Sequence, residues 1–164
     1  MAQYNSMEEF GKALQRAYNG LDAEIELALK ENVPELANAI SLRVSMKGTN
    51  RDGGSFSTPY SKSHKWKRNK YGNGSIGRQT SYKGFYYQGT MWDSFGLKKV
   101  QKSGKLVTAS VGFEGDNLYT TNAVIVKNQS DRENIFIGAA NKEEALELTR
   151  KIGASIGQYL ISVL

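Results

Sequence analysis

The chain of 164 residues contains no cysteine and a single histidine, His64. Disulfide staples, thiolate metal sites and cysteine nucleophiles are thereby excluded, and so is a metal centre built on several imidazoles. No apolar run approaches the ~18 residues that a membrane-spanning helix requires. Met1 to Phe10 also lacks the apolar stretch of a secretion signal. These absences lead to the expectation of a soluble, intracellular protein with no membrane partner and no cofactor. The length is that of a single domain, and a compact fold of this size hides roughly 70% of its unfolded surface without metals or crosslinks. Apolar residues are 39% of the chain, somewhat lean for a globular protein.

Charge is present in excess but unevenly placed. The net charge is +6. Residues 1–42 carry −4, residues 43–88 carry +9 with Asp52 as their one acid, and residues 89–164 carry +1. The basic stretch also holds eight of the 17 aromatic residues, among them Tyr60, Trp66 and Tyr71. Its centre is Lys62, Lys65, Lys67, Arg68 and Lys70, with Arg78 beyond. Such a segment implies an anionic partner, either nucleic acid or the acidic face of a protein. No recognition helix, zinc finger or aromatic ribonucleoprotein strand accompanies it, so sequence-specific readout of bases is not expected.

Periodicity divides the chain into three parts within one domain. In 1–42, Ser6 and Glu9 form a capping-box pattern, and Phe10, Leu14, Tyr18, Leu21, Ile25 and Leu29 follow at helical spacing. Pro34 implies either a kink or a second short helix beginning near Asn32. Residues 43–79 are rich in Gly, Ser and Asn without a sustained period, which predicts an extended basic arm or loop. Residues 80–164 read as sheet plus helix. Strand character runs from Thr80 to Gln88, and Val107, Ala109, Val111 and Phe113 alternate onto one face after a turn at Lys102-Ser103-Gly104. Leu118 to Lys127 suits helix or strand. Asn141 and Glu144 then cap a final helix lined by Leu148, Ile152, Ile156 and Leu160, where Gly153 and Gly157 permit close packing on a sheet or a neighbour. The resulting class is α+β: an N-terminal helix, a long basic arm or loop, a small mainly antiparallel sheet, and a C-terminal helix packed on it.

Patterns that carry chemistry are weak. Gly72-Asn73-Gly74-Ser75-Ile76-Gly77 matches G-x-G-x-x-G, but no strand precedes it, so these glycines read as a flexible loop. His64 sits among serines and lysines, the setting of a solvated side chain. Asp93, Asp116, Asp131 and Glu133 are scattered loop carboxylates without the grouping that acid–base or Mg²⁺ chemistry needs. No set of nucleophile, base and orienting group can be assembled, and no enzymatic activity is expected.

The stretch Tyr82-Lys83-Gly84-Phe85-Tyr86-Tyr87-Gln88-Gly89-Thr90-Met91-Trp92-Asp93-Ser94-Phe95 resembles a signature of tailed-phage virion morphogenesis proteins, the tail-completion and head–tail joining proteins of the neck. In them an extended apolar segment leads into a T-G-x-(L/M)-x-x-S-(I/F) turn. Gly89, Met91, Ser94 and Phe95 fall on that pattern, while Gln88 stands where it carries Thr. Val111-Gly112-Phe113 and the run from Asn117 to Ile137-Gly138 also resemble the family, so that the likeness spans roughly residues 40–160. Gly89 would turn the chain sharply, and Met91 and Phe95, four apart, would bury together.

The resemblance implies a structural virion protein of the neck or tail end, present in host cytoplasm during assembly. It implies a homo-oligomeric ring, hexamer or dodecamer, stacked on connector, adaptor or tail-tube proteins around the DNA path. Lys62, Lys65, Trp66, Lys67, Arg68, Lys70 and Arg78 are then the residues expected to contact a neighbouring subunit or, non-specifically, genomic duplex DNA. The alternative is a free nucleic-acid-binding module that uses the same basic, aromatic segment.

Overall fold

The computed structural model describes residues 4–56, 59–86, 89–115 and 120–164. Tyr87 and Gln88 of the expected strand, Asp116, and Asn117 to Tyr119 lie outside the described residues. The architecture is α+β, with long helices at both ends of the chain and one antiparallel hairpin between them.

Helix α1 spans Met7–Leu42, 36 residues and therefore ~54 Å. Ser6 Oγ accepts from the Glu9 amide at 3.2 Å. The Glu9 carboxylate reaches one residue further back and accepts from the Asn5 amide at 2.9 Å, so the expected capping box closes on Asn5 instead of Ser6. Pro34 lies inside this one continuous helix, and no second helix starts near Asn32. A π-helical turn, Arg43–Lys47, follows and ends at Gly48 in the left-handed conformation, φ 63°.

Helix α6, Lys142–Val163, runs antiparallel to α1. The Tyr4 hydroxyl donates to the Leu164 carbonyl, the Tyr159 hydroxyl to the Ala17 carbonyl at 3.2 Å, Lys151 pairs with Glu35, and Arg43 with Glu144. The C-terminal helix was expected on the sheet; it lies along α1 instead. The reason is geometric. The sheet has only two strands, and α1 itself covers its apolar face. That leaves α6 the side of α1 built from Ala13 and Ala17, where small side chains admit a close neighbour. Gly153 and Gly157 do not mediate this contact, because a Cβ on either would meet nothing within 4 Å.

Strand β1, Phe95–Ser103, pairs with β2, Leu106–Phe113, from Phe95 opposite Phe113 to Ser103 opposite Leu106. The turn is centred on Gly104, φ 60°, and Lys105, one residue later than the spacing predicts. Val107, Ala109, Val111 and Phe113 are the half-buried face of β2, as their alternation predicts. The strand expected from Thr80 does not form in the described residues Ser81 to Tyr86. Phe85 has φ 54°, which is incompatible with a strand, and Trp92 Nε1 donates to the Gly84 carbonyl (3.4 Å).

The basic stretch is also more ordered than its composition predicts. It contains helix α2, Lys62–Tyr71, and helix α3, Gly74–Arg78. Ser61 caps α2 by accepting from the His64 amide (3.2 Å). A short helix α4, Thr90–Asp93, precedes β1, and within the ambiguous segment the residues from Asn122 to Lys127 are helical, as the start of α5, Asn122–Glu133, behind a Thr121 cap; Leu118 and Tyr119 lie outside the described residues.

One core gathers at the C-terminal end of α1. Ala37, Ile40, Val44, Phe56, Met91, Trp92, Phe95, Val126 and Ile137 are buried together. Trp92 meets Phe95 edge-on at 5.5 Å and Phe113 at 5.3 Å. Burial of each large side chain here contributes about 1.5–3 kcal/mol. No described helix is long and apolar enough to cross a membrane.

Candidate functional site

The junction between the irregular chain and the sheet is built around Gly89. It precedes α4 with φ 99°, a region that residues with a Cβ avoid, and an added Cβ would sit 2.7 Å from the Tyr86 hydroxyl. The single turn of α4 then drives Met91 and Trp92 into the core, and Phe95 follows as the first residue of β1. Ser94 ends the turn. Its hydroxyl donates to the Met91 carbonyl (2.7 Å) and accepts from Asn122 Nδ2 at 3.2 Å, which ties α4 to α5. Gly89, Met91, Ser94 and Phe95 thus have separate mechanical roles in one turn. Trp92 belongs with them, although the sequence pattern does not mark it.

Helix α2 has two faces with opposite character. On its inner face lie His64 and Arg68. The His64 ring stacks on Tyr60 at 4.9 Å, and the Arg68 guanidinium lies 4.5 Å from the centre of the same tyrosine ring. Arg68 is 1% exposed. Its Nε donates to the Gln79 carbonyl (2.9 Å) and its Nη2 to the Ile76 carbonyl (3.0 Å). Arg68 was expected to touch a subunit or DNA; its burial corrects that, because it organises the segment from within. Gly72 lets the chain close around it, since a Cβ there would collide with the Gly77 and Arg68 carbonyls. The G-x-G-x-x-G run is therefore not a flexible loop: Gly72 and Asn73 make the tight connection between α2 and α3, and Gly74 to Gly77 belong to α3.

The outer face is different. Lys62, Lys65, Lys67 and Lys70 are exposed and form no ion pair among the described residues. Trp66 is 56% exposed, and Lys70 lies 5.0 Å from its ring centre and 5.1 Å from that of Tyr71. Arg78 ends α3, exposed, with its Nε on the Gly72 carbonyl at 3.1 Å. The structure therefore brings Lys62, Lys65, Trp66, Lys67 and Lys70 onto one short helix, and separates Arg68 from them.

Beneath α2 a cavity of about 360 Å³ reaches toward α5, with Arg68, Lys83 and Arg132 in its wall. Lys83 pairs with Glu133 at 2.6 Å, and both side chains are buried. Glu133 is thus the last residue of a helix holding a buried lysine, and not the loop carboxylate its sequence context predicts. Partial desolvation first, then the cations Arg68, Lys67 and Lys83, pull the His64 imidazole below its usual value. Burial pushes the Tyr60 phenol up, against the lowering effect of Arg68. No group of three or more metal-ligating side chains occurs among the described residues. Ser61 is engaged as the α2 cap.

Sequence reasoning missed the long-range ion pairs Lys83–Glu133 and Arg43–Glu144. They join positions 50 and 101 residues apart, and no local pattern marks either. No protein-family model matches this chain, and neither a curated protein nor a solved structure matches it.

Proposed function

We propose that this chain is a structural subunit of a phage neck or tail end, and that it works by assembling into a ring around the DNA path. The observation that carries the reading is the Gly89–Phe95 turn. The residues on which the resemblance rests are the ones with distinct mechanical roles there: a left-handed glycine, two buried anchors and a hydroxyl tie. In this reading the partners are further copies of the chain and connector, adaptor or tail-tube proteins of the virion. The outer face of α2 meets acidic surfaces of those neighbours. A ring multiplies every exposed lysine by its copy number, and such a density of cations on the channel wall would grip phosphates that must slide. No catalytic step forms part of the proposal.

Electron microscopy of the purified protein at high concentration tests it. Annular particles of uniform size are the expected result; dispersed small particles at every concentration would overturn it.

A second reading has its own support in Trp66, Tyr71 and the four α2 lysines, which together suit stacking on bases and contact with phosphates. A free nucleic-acid-binding module predicts retardation of a DNA fragment at physiological salt, with affinity falling steeply as salt rises.

A further inference from the structure

The cavity beneath α2 is walled by cations out of proportion to its acids. Arg68 and Lys83, both buried, and the exposed Arg132 line it. No Asp or Glu among the described residues does. The carboxylate that meets this wall is Glu133, paired with Lys83 at 2.6 Å. Three cations against that one carboxylate leave an excess of two positive charges. A cleft lined by one sign of charge between low-dielectric walls focuses its field and draws counter-ions in. The His64 imidazole, also in the wall, registers that field: after desolvation, Arg68 and Lys83 are among the cations that hold it below its ordinary value.

Two wall side chains on α5 have hydrogen-bonding capacity to spare. Arg132 enters no ion pair or hydrogen bond among the described residues, and the half-buried Gln129 amide makes no hydrogen bond there either. Ile125, Gln129 and Arg132 follow at steps of four and three, so one face of α5 looks into the cavity. The rest of the wall is largely apolar or aromatic, with Tyr60, Phe85 and Met91 joining Ile125. A volume of about 360 Å³, apolar sides and a few convergent polar groups are the attributes of a small-molecule site.

We propose that this cavity binds a small phosphate monoester, with the phosphoryl group at Arg132 and Gln129 in the field of Arg68 and Lys83, and the ester body against Tyr60, Phe85, Met91 and Ile125. The charge decides the class. A carboxylate or a phosphodiester brings one negative charge, whereas a phosphate monoester carries about −1.5 to −2 at pH 7 and matches the excess of two. The guanidinium fork of Arg132 suits two phosphoryl oxygens at once, and the Gln129 amide can donate to a third. The site lies within one copy of the chain, so it stands or falls independently of the ring reading.

Isothermal titration calorimetry of the full chain with phenyl phosphate tests this, with benzoate and inorganic phosphate as comparison probes. Phenyl phosphate is expected to bind one to one. Benzoate, which lacks the second charge, and inorganic phosphate, which lacks the apolar body, are each expected to bind weaker by about tenfold or more. Arg132→Gln, at an exposed position, should weaken phenyl phosphate by about tenfold or more with an unchanged circular dichroism spectrum. Lys70→Ala, on the outer face of α2, should leave its affinity as in the parent chain. The ring protons of His64, the chain's single histidine, should shift in the NMR spectrum as phenyl phosphate saturates the parent chain. No heat of binding at millimolar phenyl phosphate, equal affinity for either comparison probe, an unmoved His64 resonance, or binding that Lys70→Ala weakens and Arg132→Gln does not would each overturn the proposal.

Discussion

Arg43 and Glu144 meet at 2.7 Å across 101 residues, and between them they fix how the two long helices join. Arg43 also donates to the Thr49 and Ala139 carbonyls, each at 2.7 Å. Glu144 closes the α6 capping box by accepting from the Asn141 amide (2.8 Å), while its own amide donates to Asn141 Oδ1 at 2.8 Å. One guanidinium therefore ties together the end of α1, the chain that follows it and the start of α6. Both side chains are about nine-tenths buried, where attraction is little screened and a lost partner leaves an uncompensated charge.

Replacing either partner alone, Arg43→Met or Glu144→Gln, is expected to destabilise the fold by about 3–5 kcal/mol. The double variant should lose clearly less than the sum of the two. Urea unfolding of all four chains checks this, and additive losses would show that the pair is not coupled.

Gly89→Ala forces a side chain into φ 99° and against the Tyr86 hydroxyl, an expected loss of about 1–3 kcal/mol from backbone strain with a further steric cost. Gly53→Ala is the control, since Gly53 has φ 84° but open space around it. Thermal unfolding should show the Gly89 variant melting lower than the Gly53 variant; equal melting temperatures would mean that the Tyr86 contact is unimportant.

The two faces of α2 separate stability from binding. Converting Lys62, Lys65, Lys67 and Lys70 to alanine is expected to change stability by less than about 0.5 kcal/mol per site, as for exposed side chains elsewhere. The same change should abolish retention on an anionic matrix such as heparin. Arg68→Met should do the reverse, because the Ile76 and Gln79 carbonyls would each be left without their donor, at about 1–3 kcal/mol apiece. Heparin chromatography and urea unfolding of both variants distinguish the faces.

His64 gives the fold a pH dependence of known sign. Its folded-state value lies below the 6.5 of the unfolded chain, through desolvation and then through Arg68, Lys67 and Lys83. The unfolded chain therefore binds the proton more readily. Stability from this group is complete above 6.5 and declines as pH falls from there through the folded-state value. Urea midpoints of the parent and His64→Gln chains, measured from about pH 8 down to about pH 5, should show the difference between them changing across that window. A constant difference would mean the imidazole titrates alike in both states.

How much of this was legible in the sequence depended on the range of the forces involved. The ends of the fold were readable, because Ser6 and Asn141 caps and helical spacing act within a few residues. The alternation from Val107 to Phe113 was readable for the same reason. Phe85 was not: aromatic, strand-favouring composition around it is overridden by a positive φ that tertiary packing imposes. The ordering of the basic stretch was hidden because Arg68 looks like one more cation among lysines, and only the carbonyls of Ile76 and Gln79, brought round by Gly72, make it an interior residue. The partner of α6 was misjudged because a two-stranded sheet and an alanine-sided helix compete for the same apolar helix, and no local pattern decides between them. At the candidate site, the roles of Gly89, Met91 and Phe95 followed from their chemistry and spacing, whereas Trp92 and Glu133 required the assembled core.

Native mass spectrometry of the purified chain over a concentration series tests the assembly account most directly. A single closed stoichiometry above the dimer, hexameric or dodecameric in the proposed ring, is the predicted result, appearing as concentration rises. A chain that remains monomeric to the highest concentration would contradict it.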